Sequence, residues 1–211
     1  NSETDRLTRL VNDVLDLSRL ESSREVQFEP LDIRPAIEQT VRNYKLNSED
    51  KNVNIIIEID EHIPYVLGNW DMLLQVLDNL VGNALKFSKN DGKIKLRAYT
   101  WPDTCVANQI QKNNIAPYCE ILSPMPKLRM EVSDTGCGIP EINQQQIFER
   151  FYRVENAVHT ETGTGLGLSI VRGIVEKHEG QICMASEPNI GTVFWFELPI
   201  ENSDTDKLLL E

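Results

Sequence analysis

The chain has 211 residues, 21 Lys+Arg against 33 Asp+Glu for a formal charge of −12, with 40% hydrophobic and 26% charged residues. That is the composition of an ordinary globular protein with room for one sizeable core, and its charge disfavours nucleic acid or an anionic membrane as partner. No apolar run approaches the roughly 18 residues that span a bilayer, the start NSETDRLTRL has no signal-peptide pattern, and the four cysteines lack C-x-x-C spacing, which argues against a disulfide framework and for a reducing compartment.

Leu7, Leu10, Val14 and Leu17 step by three, four and three, with Val11 and Leu15 beside them and Arg6, Arg9, Asp13, Asp16 and Arg19 opposite. This predicts a helix with a coiled-coil-like seam. Over residues 1–24 it reads as half of a helical hairpin, or as a terminal helix docked on its own domain. From Val26 strands and helices alternate. A short strand over 26–28 precedes PAIEQTVRNY, where Ile37, Val41 and Tyr44 have helical spacing, and the β-branched run NVNIIIEID predicts a strand. WDMLLQVLDNLVGNALKFS predicts a long helix over 70–88, and GKIKLRAY and KLRMEVSD two further strands. Between those strands lies an insert over 101–127 with four prolines and no period, too long for a hairpin loop. After DTGCGIP come a short helix near Ile142–Arg150, a polar glycine loop, a helix over Leu168–His178, and strands QICMAS and GTVFWFELP joined in a hairpin around EPNIG. The tail 201–211 reads as frayed.

Three stretches carry chemistry. On the 70–88 helix, Asn79, Asn83 and Lys86 fall at i, i+4 and i+7, in one column. Mid-helix asparagine is unfavourable, and a buried amide without partners costs about 1–3 kcal/mol. Either the column is a solvated stripe, or it meets a hydrated metal-phosphate group, for which amide oxygens are hard donors and lysine a point charge. In MEVSDTGCGIP, Asp134 closes a strand ahead of Gly136 and Gly138. A carboxylate there accepts from an exocyclic amine, and the glycines let a planar ring lie against the backbone; a plain Asp-Thr-Gly turn is the alternative. In ETGTGLGLSIV, Gly163, Gly165 and Gly167 alternate directly before a helix N-terminus, suiting a polyphosphate, although neither the P-loop nor the dinucleotide fingerprint is matched.

Taken in order, Asn79/Asn83/Lys86, Asp134-Thr-Gly-Cys-Gly, IFERFYR with Phe148 and Phe151, and GTGLGL resemble the N, G1, F and G2 boxes of two-component sensor histidine kinases. That family lies within the ATPase superfamily of gyrase, heat-shock chaperone and mismatch-repair proteins. The resemblance covers about residues 26–199, with the insert as the departure, and the insert and its neighbours are similar to kinases of cyanobacteria and red-algal plastids. ETDRLTRLVNDVLDLSRLES resembles the second helix of the family's dimerisation and phosphoacceptor hairpin.

The resemblance implies an α/β two-layer sandwich: a mixed sheet covered by helices on one face over residues 25–200, preceded by one hairpin helix. It implies that GTGLGL, with Gly163, Gly165, Leu166, Gly167 and Leu168, holds the triphosphate of ATP, and that Arg153–Thr162 forms a lid. Asn83 would ligate Mg²⁺, Asn79 and Lys86 would contact the metal-phosphate group, Arg153 would reach the γ-phosphate, and Asp134, with Gly136 and Gly138, would read adenine. Thr192 matches a threonine that supports adenine through water. The implied activity is phosphorylation of a histidine, relayed to an aspartate of a response regulator, by a cytoplasmic or stromal part of a membrane-anchored homodimer. The alternative is an ATP-hydrolysing or nucleotide-binding switch, for which Asp78 beside Asn79 is the candidate base. His62, His159 and His178 all stand outside an acceptor-helix context, so the chain is expected not to phosphorylate itself.

Overall fold

The computed structural model describes residues 2–21, 26–101, 126–154 and 163–200. The elements are α1 (Ser2–Glu21), β1 (Glu29–Leu31), α2 (Arg34–Asp50), β2 (Asn54–Ile59), β3 (Val66–Gly68), α3 (Trp70–Phe87), β4 (Lys93–Trp101), β5 (Lys127–Asp134), α4 (Glu141–Gln144), α5 (Gly167–Lys177), β6 (Gln181–Glu187) and β7 (Gly191–Pro199). The expected lid residues beyond Val154, most of the insert with Cys105 and Cys119, His159 and the tail lie outside the described residues.

Five strands form one mixed sheet in the order β2-β4-β5-β7-β6. β2 runs parallel to β4, and every other pairing is antiparallel. Period-2 alternation decides the faces: Ile94, Leu96, Ala98, Leu128, Met130, Val132, Phe194, Phe196 and Leu198 join the core. On the other face the Arg129 guanidinium lies 3.7 Å from the Trp101 ring centroid and also pairs with Glu197. The expected two-layer sandwich is therefore what the chain forms, with α2, α3 and α5 on the core face.

α3 is the central helix. Asn69 caps it, its Oδ1 accepting from Met72 N at 3.1 Å, and Leu73, Val76, Leu77, Leu80, Val81, Ala84 and Leu85 are buried. At its other end Ser88 Oγ donates to Ala84 O at 2.7 Å, and Lys51 Nζ donates to the Leu85 and Lys86 carbonyls at 3.1 Å each. These contacts satisfy carbonyls that a helix end leaves open. Gly82 lies in mid-helix because a Cβ there would stand 2.8 Å from the Tyr44 hydroxyl of α2.

Four expectations need correction. The first strand is β1 over Glu29–Leu31, three residues after the expected 26–28, because its antiparallel partner β3 lies at Val66–Gly68. The helix expected near Ile142–Arg150 is the single turn α4, followed by turns that end at Phe151 with φ of 62°. α2 continues to Asp50, beyond the apolar period. Cys183, on β6, is disulfide-bonded, whereas Cys137 is a free, exposed thiol; sequence spacing alone says nothing of which sulfurs meet. Among the described residues no helix is long and apolar enough to cross a membrane.

Candidate functional site

The polar column of α3 and the glycine stretches meet in space. Asn79 Nδ2 donates back to Gln75 O at 3.0 Å, which turns its Oδ1 outward. A Cβ built on Gly167 would stand 2.8 Å from that oxygen, and one built on Gly163 would stand 3.0 Å from Lys86 Nζ. Asn83 sits half-buried between the two on the same column. A larger residue in the loop would push these side chains aside, so the glycines let the loop approach α3.

The loop itself is held in shape by its neighbours. Gly165 has φ of 76°, and a Cβ there would meet the Phe151 backbone at 2.8 Å, while Phe151 N donates to Gly165 O at 2.9 Å. Leu166 is fully buried and precedes the first turn of α5. Leu168 is partly buried against the core, so α5 is anchored with its first amides at the loop. Phe148 is buried edge-on to Phe194, with ring centroids 6.2 Å apart, and fixes the approach of the Phe151 turn. Arg153 is exposed just beyond that turn.

Asp134 ends β5 beside the second glycine stretch. Its Oδ1 accepts from Gly136 N at 2.7 Å. Burial raises the carboxyl above its usual range, and the Gly136 and Thr192 backbone amides pull the other way. A Cβ on Gly136 would stand 2.4 Å from Phe87 O, and Cys137 N donates to that same carbonyl at 3.3 Å. The Asp134 turn is thereby joined to the C-terminal end of α3. Gly138, with φ of 67°, lies against the Glu187 backbone.

Sequence reasoning missed the residue that organises this turn. Ser186 Oγ accepts from Ile139 N at 2.8 Å, donates to Gly191 O at 2.9 Å and lies 2.9 Å from Thr192 Oγ1. Gln144 Nε2 adds bonds to the Ile139 and Ser186 carbonyls. Thr192 is thus buried and tied to Ser186. Neither Ser186 nor Gln144 stands in a motif, so no local signal marks them.

Asn79, Asn83, Lys86, Asp134, Gly136, Gly138, Gly163, Gly165, Leu166, Gly167, Leu168 and Thr192 therefore belong to one contiguous region. Its oxygen and ammonium groups face backbone amides at a helix start, a donor set that suits a metal-phosphate group. Among the described residues no cluster of three His, Cys, Asp or Glu side chains could hold a metal alone. Asp78 is turned elsewhere: the Tyr44 hydroxyl donates to its backbone carbonyl at 3.0 Å, its carboxylate lies by Thr40 of α2, and its Oδ1 has no hydrogen-bond partner. His178 is 4% exposed, its Nε2 accepting from Asn69 N at 3.1 Å. A groove of about 410 Å³ lined by Arg34, His62, Thr100 and Pro126 lies at the other end of β4, and no candidate residue lines it.

Residues 68–202 match the family described as histidine kinase-, DNA gyrase B- and HSP90-like ATPases. The chain is 50% identical over 204 residues to drug sensory protein A of Synechocystis sp., covering 96% of the chain and 29% of that relative. It therefore spans under a third of the relative's length. Among solved structures, full-length ShkA in complex with AMPPNP superposes with a TM-score of 0.74 at 28% identity, over 96% of this chain and 37% of that one. Histidine kinase ThkA in complex with response regulator protein TrrA superposes with a TM-score of 0.67 at 26% identity, over 94% of this chain and 49% of that one.

Proposed function

As the chain belongs to the histidine kinase-, DNA gyrase B- and HSP90-like ATPase family, we propose that it is the ATP-binding catalytic part of a sensor histidine kinase. In this reading it moves the γ-phosphoryl of ATP to a histidine on a separate hairpin helix, for relay to an aspartate of a response regulator. The observation that carries the reading is the meeting of the Asn79–Asn83–Lys86 column with the Gly163–Gly167 loop, while Phe87 of the same helix holds the Asp134 turn.

Phosphoryl transfer asks a protein mainly for positioning and charge neutralisation. The loop amides and the start of α5 receive phosphate oxygens, and Lys86 neutralises them. Asn83 ligates Mg²⁺, Asn79 orients the same group through its outward oxygen, and Arg153 reaches the γ-phosphate. Asp134 accepts from the adenine amine over Gly136 and Gly138, and Thr192 supports the ring through water. Mg²⁺, when bound with ATP, offsets charge that develops between the β- and γ-phosphates. The hydrolytic switch needs a carboxylate facing the nucleotide, and Asp78 instead faces α2, which favours the kinase reading.

Residues 1–24 are the second hairpin helix in this reading, and the complete protein is a membrane-anchored homodimer whose catalytic part lies in the cytoplasm or stroma. The test is incubation with γ-labelled ATP, with and without a separately supplied hairpin domain carrying the acceptor histidine. His178 is buried and His62 lies in the groove at the far end of the sheet, out of the roughly 3–3.5 Å reach that in-line attack requires. Acid-labile, alkali-stable label is expected on the hairpin and not on this chain; label on this chain alone contradicts the reading. Asn83→Ala should remove most of the Mg²⁺ dependence of ATP binding in calorimetry, and equal losses with and without metal would make Asn83 structural.

A further inference from the structure

α1 carries two opposed faces. Leu7, Val11, Val14 and Leu15 are exposed along one, while Leu17 and Leu20 pack against the core on the other. The packed face also carries polar contacts. Lys177 Nζ of α5 donates to Leu20 O at 3.2 Å, and Gln75 Nε2 of α3, one turn before Asn79, donates to Asp16 Oδ2 at 2.6 Å. Asp13, one turn earlier on this face, accepts from the Thr164 hydroxyl in the middle of the glycine loop. That hydroxyl oxygen in turn accepts from Leu166 N at 3.2 Å.

We propose that Asp13 is a positioning residue that acts through Thr164 to hold the glycine loop in a form opposed to phosphate binding, so that seating of α1 and binding of the triphosphate disfavour each other. The inference rests on the reading of this loop as the phosphate site. Two physical effects point the same way. The relay from Leu166 N–H to the Thr164 hydroxyl to the Asp13 carboxylate occupies a loop amide next to the start of α5, one of the donors a phosphate oxygen would need. The carboxylate also sets a negative charge against a loop that must receive negative charge, opposite in effect to Lys86 of α3, which faces the same loop. Because α1 is a single helix, any turn of its exposed apolar face against a partner carries Asp13 and Asp16 with it. The coupling is reciprocal: what unseats α1 raises affinity for the triphosphate, and the triphosphate unseats α1.

The test measures the affinity of the intact chain for Mg-AMPPNP by calorimetry, together with hydrogen exchange over residues 10–20. Asp13→Ala should tighten binding by about fivefold or more. Asp13→Asn, which keeps an acceptor and loses the charge, should give a smaller gain, and Asp13→Glu should restore weak binding. In a Thr164→Ala background Asp13→Ala should give only the smaller gain that comes from removing the charge, since the relay is already broken. Exchange in α1 should rise when the unmodified chain is saturated with Mg-AMPPNP, and should already be raised in Asp13→Ala without nucleotide. A merely structural role would lower the melting temperature of Asp13→Ala and leave affinity unchanged. Unchanged or weaker binding, or the full gain persisting in the Thr164→Ala background, overturns the proposal while the nucleotide reading stands. Failure of the unmodified chain to bind Mg-AMPPNP overturns both.

Discussion

Two carboxylates, one at the end of β5 and one on α3 between the helices, are pushed above their ordinary range by the same cause and differ in everything else. Burial raises Asp134 and burial raises Asp78. Asp134 has a backbone amide at 2.7 Å and glycine turns around it. Asp78 has an oxygen without a partner, beside a Thr40 hydroxyl that is also without one. A raised pKa therefore does not mark a site by itself. What separates the two is the second partner each is built to face: an open approach over glycines at Asp134, and the flank of α2 at Asp78.

Breaking the first carboxylate should have the larger effect. Asp134→Asn presents a donor where the adenine amine needs an acceptor, so ATP affinity should fall by about 5- to 150-fold, the range of about 1–3 kcal/mol for an unpaired buried group. The fold should survive, because the amide oxygen can still receive Gly136 N. Calorimetric titration beside a thermal melt checks both, and unchanged affinity would remove Asp134 from the base-reading role.

The second carboxylate should respond in the opposite sense. Asp78→Asn should raise stability at pH 7 by about 1 kcal/mol, about 2–4 °C in melting temperature for a chain of this size, with ATP affinity unchanged. Its folded pKa lies above the ordinary 3.8, so the folded chain binds the proton more tightly than the unfolded chain does. The cost of the charge is absent below about pH 3.8 and complete once pH has risen past the folded value. The gain from Asp78→Asn should accordingly shrink as melts are repeated toward pH 4, and a gain independent of pH would locate the effect elsewhere. The smallest change sharpens the same contrast: if the fully buried Thr40 hydroxyl has no partner, Thr40→Val should raise stability, by less than Asp78→Asn does, because an unpaired buried hydroxyl costs free energy and a methyl does not. A loss of 1 kcal/mol or more in chemical denaturation would show that Thr40 donates to Asp78.

Much of this was readable along the chain, because it is local. α3 was legible from its apolar period and ends within a residue of the expected bounds, and the i, i+4, i+7 spacing of Asn79, Asn83 and Lys86 gave the column that meets the loop. The strands with clean alternation, β4 and β5, were legible for the same reason. β3 was not, since three residues after Ile63-Pro64 show no period and form a strand only by pairing with β1. The turns after α4 end in a positive φ at Phe151, a backbone event that no residue type there announces. Ser186 joining Ile139 to Gly191, and Asp13 reaching Thr164 across 151 positions, are long-range meetings that exist only once the sheet and helices are assembled.

β4 and β5 pair over eight residues, from Ile94 with Asp134 to Trp101 with Lys127, although the chain takes more than twenty residues to pass from one to the other. Loop closure grows only as the logarithm of length, about 0.6 kcal/mol for each doubling, so this connection costs the sheet about 1.5 kcal/mol more than a four-residue hairpin would. The register is therefore set by the strands and not by the link between them. The far ends of β4 and β5, where Asp134 sits, accordingly take their alignment from the pairing itself and not from the length of the link. What the long link does affect is speed: two central strands must find each other across a wide sequence gap, which places their pairing among the slower steps of folding.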